Sequence, residues 1–181
     1  MKKVLFSLLG VLTIVLIPSA SAFAATTADV TVTATPTFIA MTNSEATWAI
    51  GTVAANTIYW WTAAGTAPDP EPFEAADMKS TITNTGSVPE TISVHAHDFT
   101  GGAGWTLHGT TEGADIVVLA AGTTGTANVA GMKYLVDTTP QELIHELAAA
   151  GTQKWCLRLK TGTFTDGVEK TTTVTVSAAA H

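Results

Sequence analysis

A single cysteine, Cys156, stands in a chain of 181 residues, which excludes an internal disulfide framework. Positive charge is also scarce. Eight basic residues against fifteen acidic ones give a net charge of −7, so the surface has no electrostatic reason to seek nucleic acid or anionic lipid. Charged residues of either sign make up only 13% of the chain, which leaves threonine hydroxyls to supply much of the polar surface. After residue 24 no apolar run is long enough for a membrane-spanning helix, and no transmembrane anchor is expected. Reactive signatures are missing as well: there is no serine in a nucleophile elbow, no phosphate-cradling glycine loop ending in lysine and no helix with paired histidines. Asp69, Glu71, Glu74 and Asp77 lack the spacing of a calcium loop. No enzyme and no resident cofactor are therefore expected.

What is present begins with Lys2 and Lys3, an apolar run from Val4 to Ile17, Pro18, and a small-residue stretch ending Ala22, Phe23, Ala24. A positive start, a short greasy core and an Ala-x-Ala site form a secretory signal peptide over residues 1–24. Its core is too short to cross a hydrocarbon layer of roughly 30 Å. Cleavage leaves residues 25–181 as one extracellular or cell-surface domain, more acidic for the loss of two lysines. In that compartment Cys156 is either an inert structural thiol or a partner for an intermolecular disulfide.

The remaining chain alternates apolar and polar residues with the period of a half-buried strand. Strands are expected at Asp29 to Ala34, Thr47 to Val53, Thr57 to Thr62, Met78 to Thr83, Thr91 to His97, Gly104 to His108, Asp115 to Leu119, Gly131 to Val136, Trp155 to Lys160 and Thr171 to Ala178. Clusters of glycine, proline and asparagine punctuate them at short intervals, as in an antiparallel sandwich or barrel. Residues 63–77, with Pro68, Pro70 and Pro72 among acids, are expected to be a loop. One segment breaks the rhythm. Thr139, Pro140 and Glu142 make a capping box, Leu143, Ile144 and Leu147 share a helical face, and Gly151 suits a left-handed cap, predicting one short crossover helix near 140–150.

Two phrases carry a resemblance. Thr81 to Val94, TITNTGSVPETISV, resembles the first hairpin of immunoglobulin-like modules in secreted and surface proteins of bacteria and archaea. Leu147 to Leu159, LAAAGTQKWCLRL, is similar to a later portion of the same modules, and a valine and threonine strand such as Thr171 to Ser177 ends them. The resemblance covers roughly residues 78–177 and implies an all-β, immunoglobulin-like antiparallel β-sandwich. It implies no catalytic residues, because such modules serve as spacers, adhesins, coats and filament subunits.

Three groups are candidate sites. His95 and His97, two apart on a strand, leave the same face, and a hairpin about Gly101 and Gly102 brings His108 opposite, an arrangement able to hold a divalent metal such as zinc or copper. The same histidines also suit an ordinary solvated face. Tyr59 and Trp61 share one strand face and Trp60 takes the other, so either an aromatic patch is exposed to stack on glycan or a subunit, or both faces are covered. Val30 and Val32, on the Thr-rich first strand, are candidates for exchange into a neighbour's sheet. The function expected is a non-catalytic secreted structural protein, a coat or filament subunit that associates with itself or other envelope proteins. The alternative is a secreted module that binds glycan or metal.

Overall fold

Ser80 to Asn84 and Glu90 to Ala96 alternate buried and half-buried positions residue by residue, the period of two that a strand with one covered face requires. The computed structural model describes residues 33–34, 36–68, 77–124 and 131–181. The chain divides into two units, Met1–Thr35 and Pro36–His181, and the fold is that of the second. Its described residues form eleven strands: β1 Met41–Asn43, β2 Ile58–Thr62, β3 Gly65–Pro68, β4 Ser80–Asn84, β5 Glu90–Ala96, β6 Thr106–Leu107, β7 Ile116–Gly122, β8 Lys133–Leu135, β9 Gln141–Leu147, β10 Thr152–Lys160 and β11 Val174–Ala180.

These strands build an all-β fold of two sheets, antiparallel except where β6 pairs parallel with β7. The larger sheet is organised about β10. Its first half pairs with β4 and its second with β2, and on the other side it pairs with β7, which carries β8. The smaller sheet has the order β11-β5-β9. Side chains from both sheets meet in one apolar cluster that includes Ile82, Val94, Leu119, Leu143, Trp155 and Leu157. A second cluster joins Trp60, Met78, Ala120, Met132 and Cys156. The alternation along β10 explains the division, since Trp155, Leu157 and Leu159 belong to the first cluster and Cys156, between them, to the second.

The helix expected near 140–150 is a strand. Residues Gln141–Leu147 form β9, paired with β5 through Glu90↔Leu147, Ile92↔Ile144 and Val94↔Gln141. Leu143 and Leu147 are four apart, a spacing that puts two side chains on one face of a helix and equally on one face of a strand. A helix of about ten residues is marginal on its own, whereas β5 supplies β9 with a whole ladder of backbone partners. Two register shifts in that ladder let Ile144 turn half inward, which is why the apolar pattern departs from strict alternation. Gly151 is not the left-handed residue either. Ala150 takes that conformation at φ 60°, and Gly151 is needed because a Cβ there would lie 2.7 Å from the Ala148 carbonyl oxygen.

Two smaller expectations also change. Thr47 to Val53 forms no strand, and β3 extends into the stretch expected to be a loop. Two short strands, β1 and β3, have too few residues to show a period. The first expected strand, with Val30 and Val32, lies outside the described residues except for Thr33 and Ala34, which belong to no strand.

Candidate functional site

The aromatic run is covered on both faces. Trp60 is 1% and Trp61 4% exposed, and Tyr59, half-buried, accepts a hydrogen bond from the Ala54 N–H at its hydroxyl, 2.7 Å away. Trp61 lies in the main cluster, stacked on Trp48 at 6.1 Å and edge-on to Trp155 at 5.8 Å. Trp60 lies on the other face under the Arg158 guanidinium, 5.5 Å from its ring. The strand geometry inferred for the three residues holds, but neither tryptophan offers an open ring face to a sugar.

The histidines come together only in part. His95 and His97 meet edge-to-face at 5.7 Å, and the hairpin expected about Gly101 and Gly102 is present, closed by reciprocal backbone bonds between Phe99 and Trp105. Beyond Trp105 the chain leaves β5 and pairs with β7, so His108 does not come opposite His95. Its Nδ1 instead accepts from the Thr111 N–H. His97 faces Asp137 at 3.3 Å. Among the described residues no three His, Cys, Asp or Glu side chains gather as a metal site.

Cys156 shares its strand face with Arg158, as the alternation requires, yet neighbouring cations do not govern the thiol. It is fully buried among Trp60, Ala120 and Met132, and burial pushes its pKa up to about 12. It is an unreactive thiol.

A different feature stands out at the edge of the smaller sheet. Among the described residues β11 has β5 on one side and no strand on the other. Its residues Val174, Val176 and Ala178 lie opposite the buried Ala96, Val94 and Ile92, so they point toward the main cluster, but they are only partly covered. Beside them runs a groove of about 1150 Å³ lined by Val174, Val176, Trp48, Trp61, Trp155 and Phe164. Two of its indoles are satisfied, Trp48 by Thr66 Oγ1 at 3.0 Å and Trp155 by Asn43 Oδ1 at 2.9 Å. The Trp105 indole also lines the groove. Its Nε1 is buried without a hydrogen-bond partner.

The stretch leading into β11 is fixed by Asp166, which accepts bonds from the Ala103 and Val168 amides and from the Lys170 ammonium. Those donors, Lys170 foremost, hold its carboxyl down to about 2. At the opposite end of β11 the arm 38–40 is tied to the turn 84–90. Ser87 donates to the Phe38 carbonyl, Thr85 and Gly86 donate to that of Ala40, and the Ala40 amide donates to Glu90 Oε1 at 2.7 Å. Sequence patterning missed this site because a free edge and a groove are properties of topology. The uncharged run VTVSAAA was its only local trace. Among the described residues no helix is long and apolar enough to cross a membrane. No family model, curated protein or solved structure matches this chain.

Proposed function

We propose that this chain is an exported, non-catalytic structural subunit that assembles with copies of itself at the cell surface. On this reading its two sheets face each other as an immunoglobulin-like sandwich, and residues 1–24 are removed on export. The observation that carries the reading is the contrast between β11 and every other strand edge among the described residues. β1 and β8 are three residues long, β6 is two, and β3 ends on Pro68. β9, the other edge of the small sheet, has two register shifts and exposes Glu142, His145 and Glu146. Short length, proline, bulges and charge are the means by which soluble proteins prevent edge-to-edge pairing. β11 has none of them across seven residues. An unguarded edge over an open groove suits a protein whose edge is meant to be covered.

The alternative, a glycan or metal binder, draws less support from the geometry, given the buried tryptophans and the separated histidine. Electron microscopy of the exported protein, with sedimentation across a concentration series, tests the proposal. Ordered polymers or discrete oligomers are expected. Single copies at every concentration would reject it.

A further inference from the structure

We infer that His145, His181 and Glu146, on the outer face of the smaller sheet, form a binding site for a divalent transition metal, zinc in the first instance. The inference is independent of whether copies assemble, and the site is distinct from the pair His95 and His97 farther along β5. The ladder brings the three residues together. Ala180 lies opposite Glu90 and Glu90 opposite Leu147, so the residue after β11 and the end of β9 meet across the start of β5. Ile92 and Val94 of β5 face the core, and by alternation Thr91 faces outward between the two histidines. The rings of His145 and His181 meet at an angle of 84° with centroids 4.6 Å apart. Two imidazoles bound to one zinc at about 2.0–2.1 Å bring their centres to roughly 4.5–5 Å.

Hydrogen bonding decides which nitrogen of His181 carries the proton. Thr91 Oγ1 donates its one hydrogen to the His145 carbonyl at 2.7 Å, so toward His181 Nδ1, at 3.1 Å, it can only accept. His181 is thereby held with hydrogen on Nδ1 and, in its neutral form, a lone pair on Nε2. That nitrogen stands 3.8 Å from Glu146 Oε2. The gap is too wide for a hydrogen bond and a few tenths of an ångström more than the roughly 3.0–3.4 Å between two ligand atoms of one zinc. His145 repeats the pattern. Its Nδ1 faces Glu142 Oε1 at 3.3 Å, an acceptor that favours hydrogen on that nitrogen and leaves Nε2 for a metal. Metal-bound histidines characteristically turn their second ring nitrogen to such an acceptor, and here both rings do so in advance. As the side chains stand, they form two His–Glu pairs and not one gathered centre. The His145 and Glu146 side chains are 74% and 55% exposed and free to turn the remaining distance toward His181, whose backbone is fixed to Pro89. Two nitrogens and one carboxylate fill three positions of a tetrahedral ion and leave the fourth open.

Zinc titrated into the exported protein without an affinity tag, followed by calorimetry and by the histidine ring protons in NMR, tests the site. One ion per chain is expected, with the ring signals of His145 and His181 moving and those of His95, His97 and His108 staying in place. His145→Ala/His181→Ala is expected to lose roughly a hundredfold in affinity and Glu146→Gln about tenfold, whereas His95→Ala/His97→Ala is expected to bind as the unsubstituted chain does. Thr91→Val leaves every ligand in place and removes the hydroxyl that orients His181, and a loss of about ten- to a hundredfold is expected. Unfolding curves of these variants without zinc are expected to match the unsubstituted chain, which separates lost ligands from lost fold. No saturable uptake of zinc, uptake that survives the loss of both histidines, or a signal that moves instead to His95 and His97 would overturn the proposal.

Discussion

The side-chain amide of Asn84 donates to the carbonyl of Leu147, 63 residues away, at 2.8 Å, and so ties the end of β4 to the end of β9. The same nitrogen donates to the Val88 carbonyl, while Oδ1 accepts from the Gly86 amide, all within a fully buried side chain. Replacing Asn84 with Ala removes three hydrogen bonds and takes this donor from the Leu147 and Val88 carbonyls, while the Gly86 amide keeps the Ala40 carbonyl. Each such loss costs about 1–3 kcal/mol when water cannot reach the group. Asn84→Ala is expected to lower unfolding stability by at least about 2 kcal/mol in urea titration, and Asn84→Asp, which keeps only the acceptor, by a similar amount.

Gly86 acts through space and not through an unusual backbone angle. A Cβ there would fall 2.6 Å from Glu90 Oε1, 2.7 Å from the Phe38 carbonyl oxygen and 2.9 Å from the Ala40 nitrogen. Two of those atoms are backbone and cannot swing aside. Gly86→Ala is therefore expected to push the arm 38–40 off the turn, with faster hydrogen exchange at the Ala40 and Ser87 amides. Protection at Ile92 and Val94 in the core is expected to persist.

The phrase NTG-x-VP was visible in the sequence as a turn, and its strands were placed almost residue for residue. Its physical content was not visible. Asn84 is there for two bonds within its own turn and one to Leu147, and Gly86 for a close approach to Phe38, and the last two needs arise only after Phe38 and Leu147 have been brought in by the fold. The error at 140–150 has the same origin: Leu143 and Leu147 satisfy two periods at once, and the ladder to β5 decides between them. Faces along Tyr59, Trp60 and Trp61 were readable from parity, whereas their burial depended on which strands and side chains cover each face. His108 fails to join His95 because pairing with β7 captures the chain at Thr106, the residue after the hairpin closes.

Cys156 offers a direct check on the core. A buried thiol whose ionisation is pushed up to about 12 supplies almost no thiolate at pH 8. Native protein is expected to resist thiol reagents at that pH and to react fully once unfolded in guanidinium. Cys156→Ser is expected to cost about 1–3 kcal/mol, since it buries a hydroxyl among Trp60 and Met132 with no evident partner. Rapid labelling of the folded protein would contradict the burial.

Acid acts on the stretch leading into β11. Asp166 has its carboxyl held down to about 2 against an ordinary 3.8, so its contacts favour the folded form wherever the carboxylate is ionised. That contribution is complete above pH 3.8 and fades as pH falls toward 2. In the folded protein the Ala103 amide and the Lys170 ammonium keep their acceptor until the pH falls through 2. Proton NMR of the Ala103 amide is expected to titrate with a midpoint near 2, and Asp166→Asn to flatten the curve. A midpoint at the ordinary carboxyl value would show that the turn does not hold Asp166 as described.

Charge placed on the free edge separates the edge itself from the groove behind it. Val176 lies opposite Val94 and faces the groove, half-buried. A lysine at that position is an inward-pointing charge on an edge strand, the device that β11 lacks. Its long stem lets the ammonium reach solvent through the open side, so the monomer is expected to lose no more than about 2 kcal/mol. Association, which requires that same opening to be covered, is expected to fall much further, because the ammonium would then have to be desolvated among Trp48 and Trp61. Sedimentation of Val176→Lys beside Ala149→Lys, which adds the same charge at an exposed turn residue outside the groove, reads the difference. Loss of assembly in the first alone is the expected result, and equal assembly in both would mean that the edge of β11 stays open in the polymer.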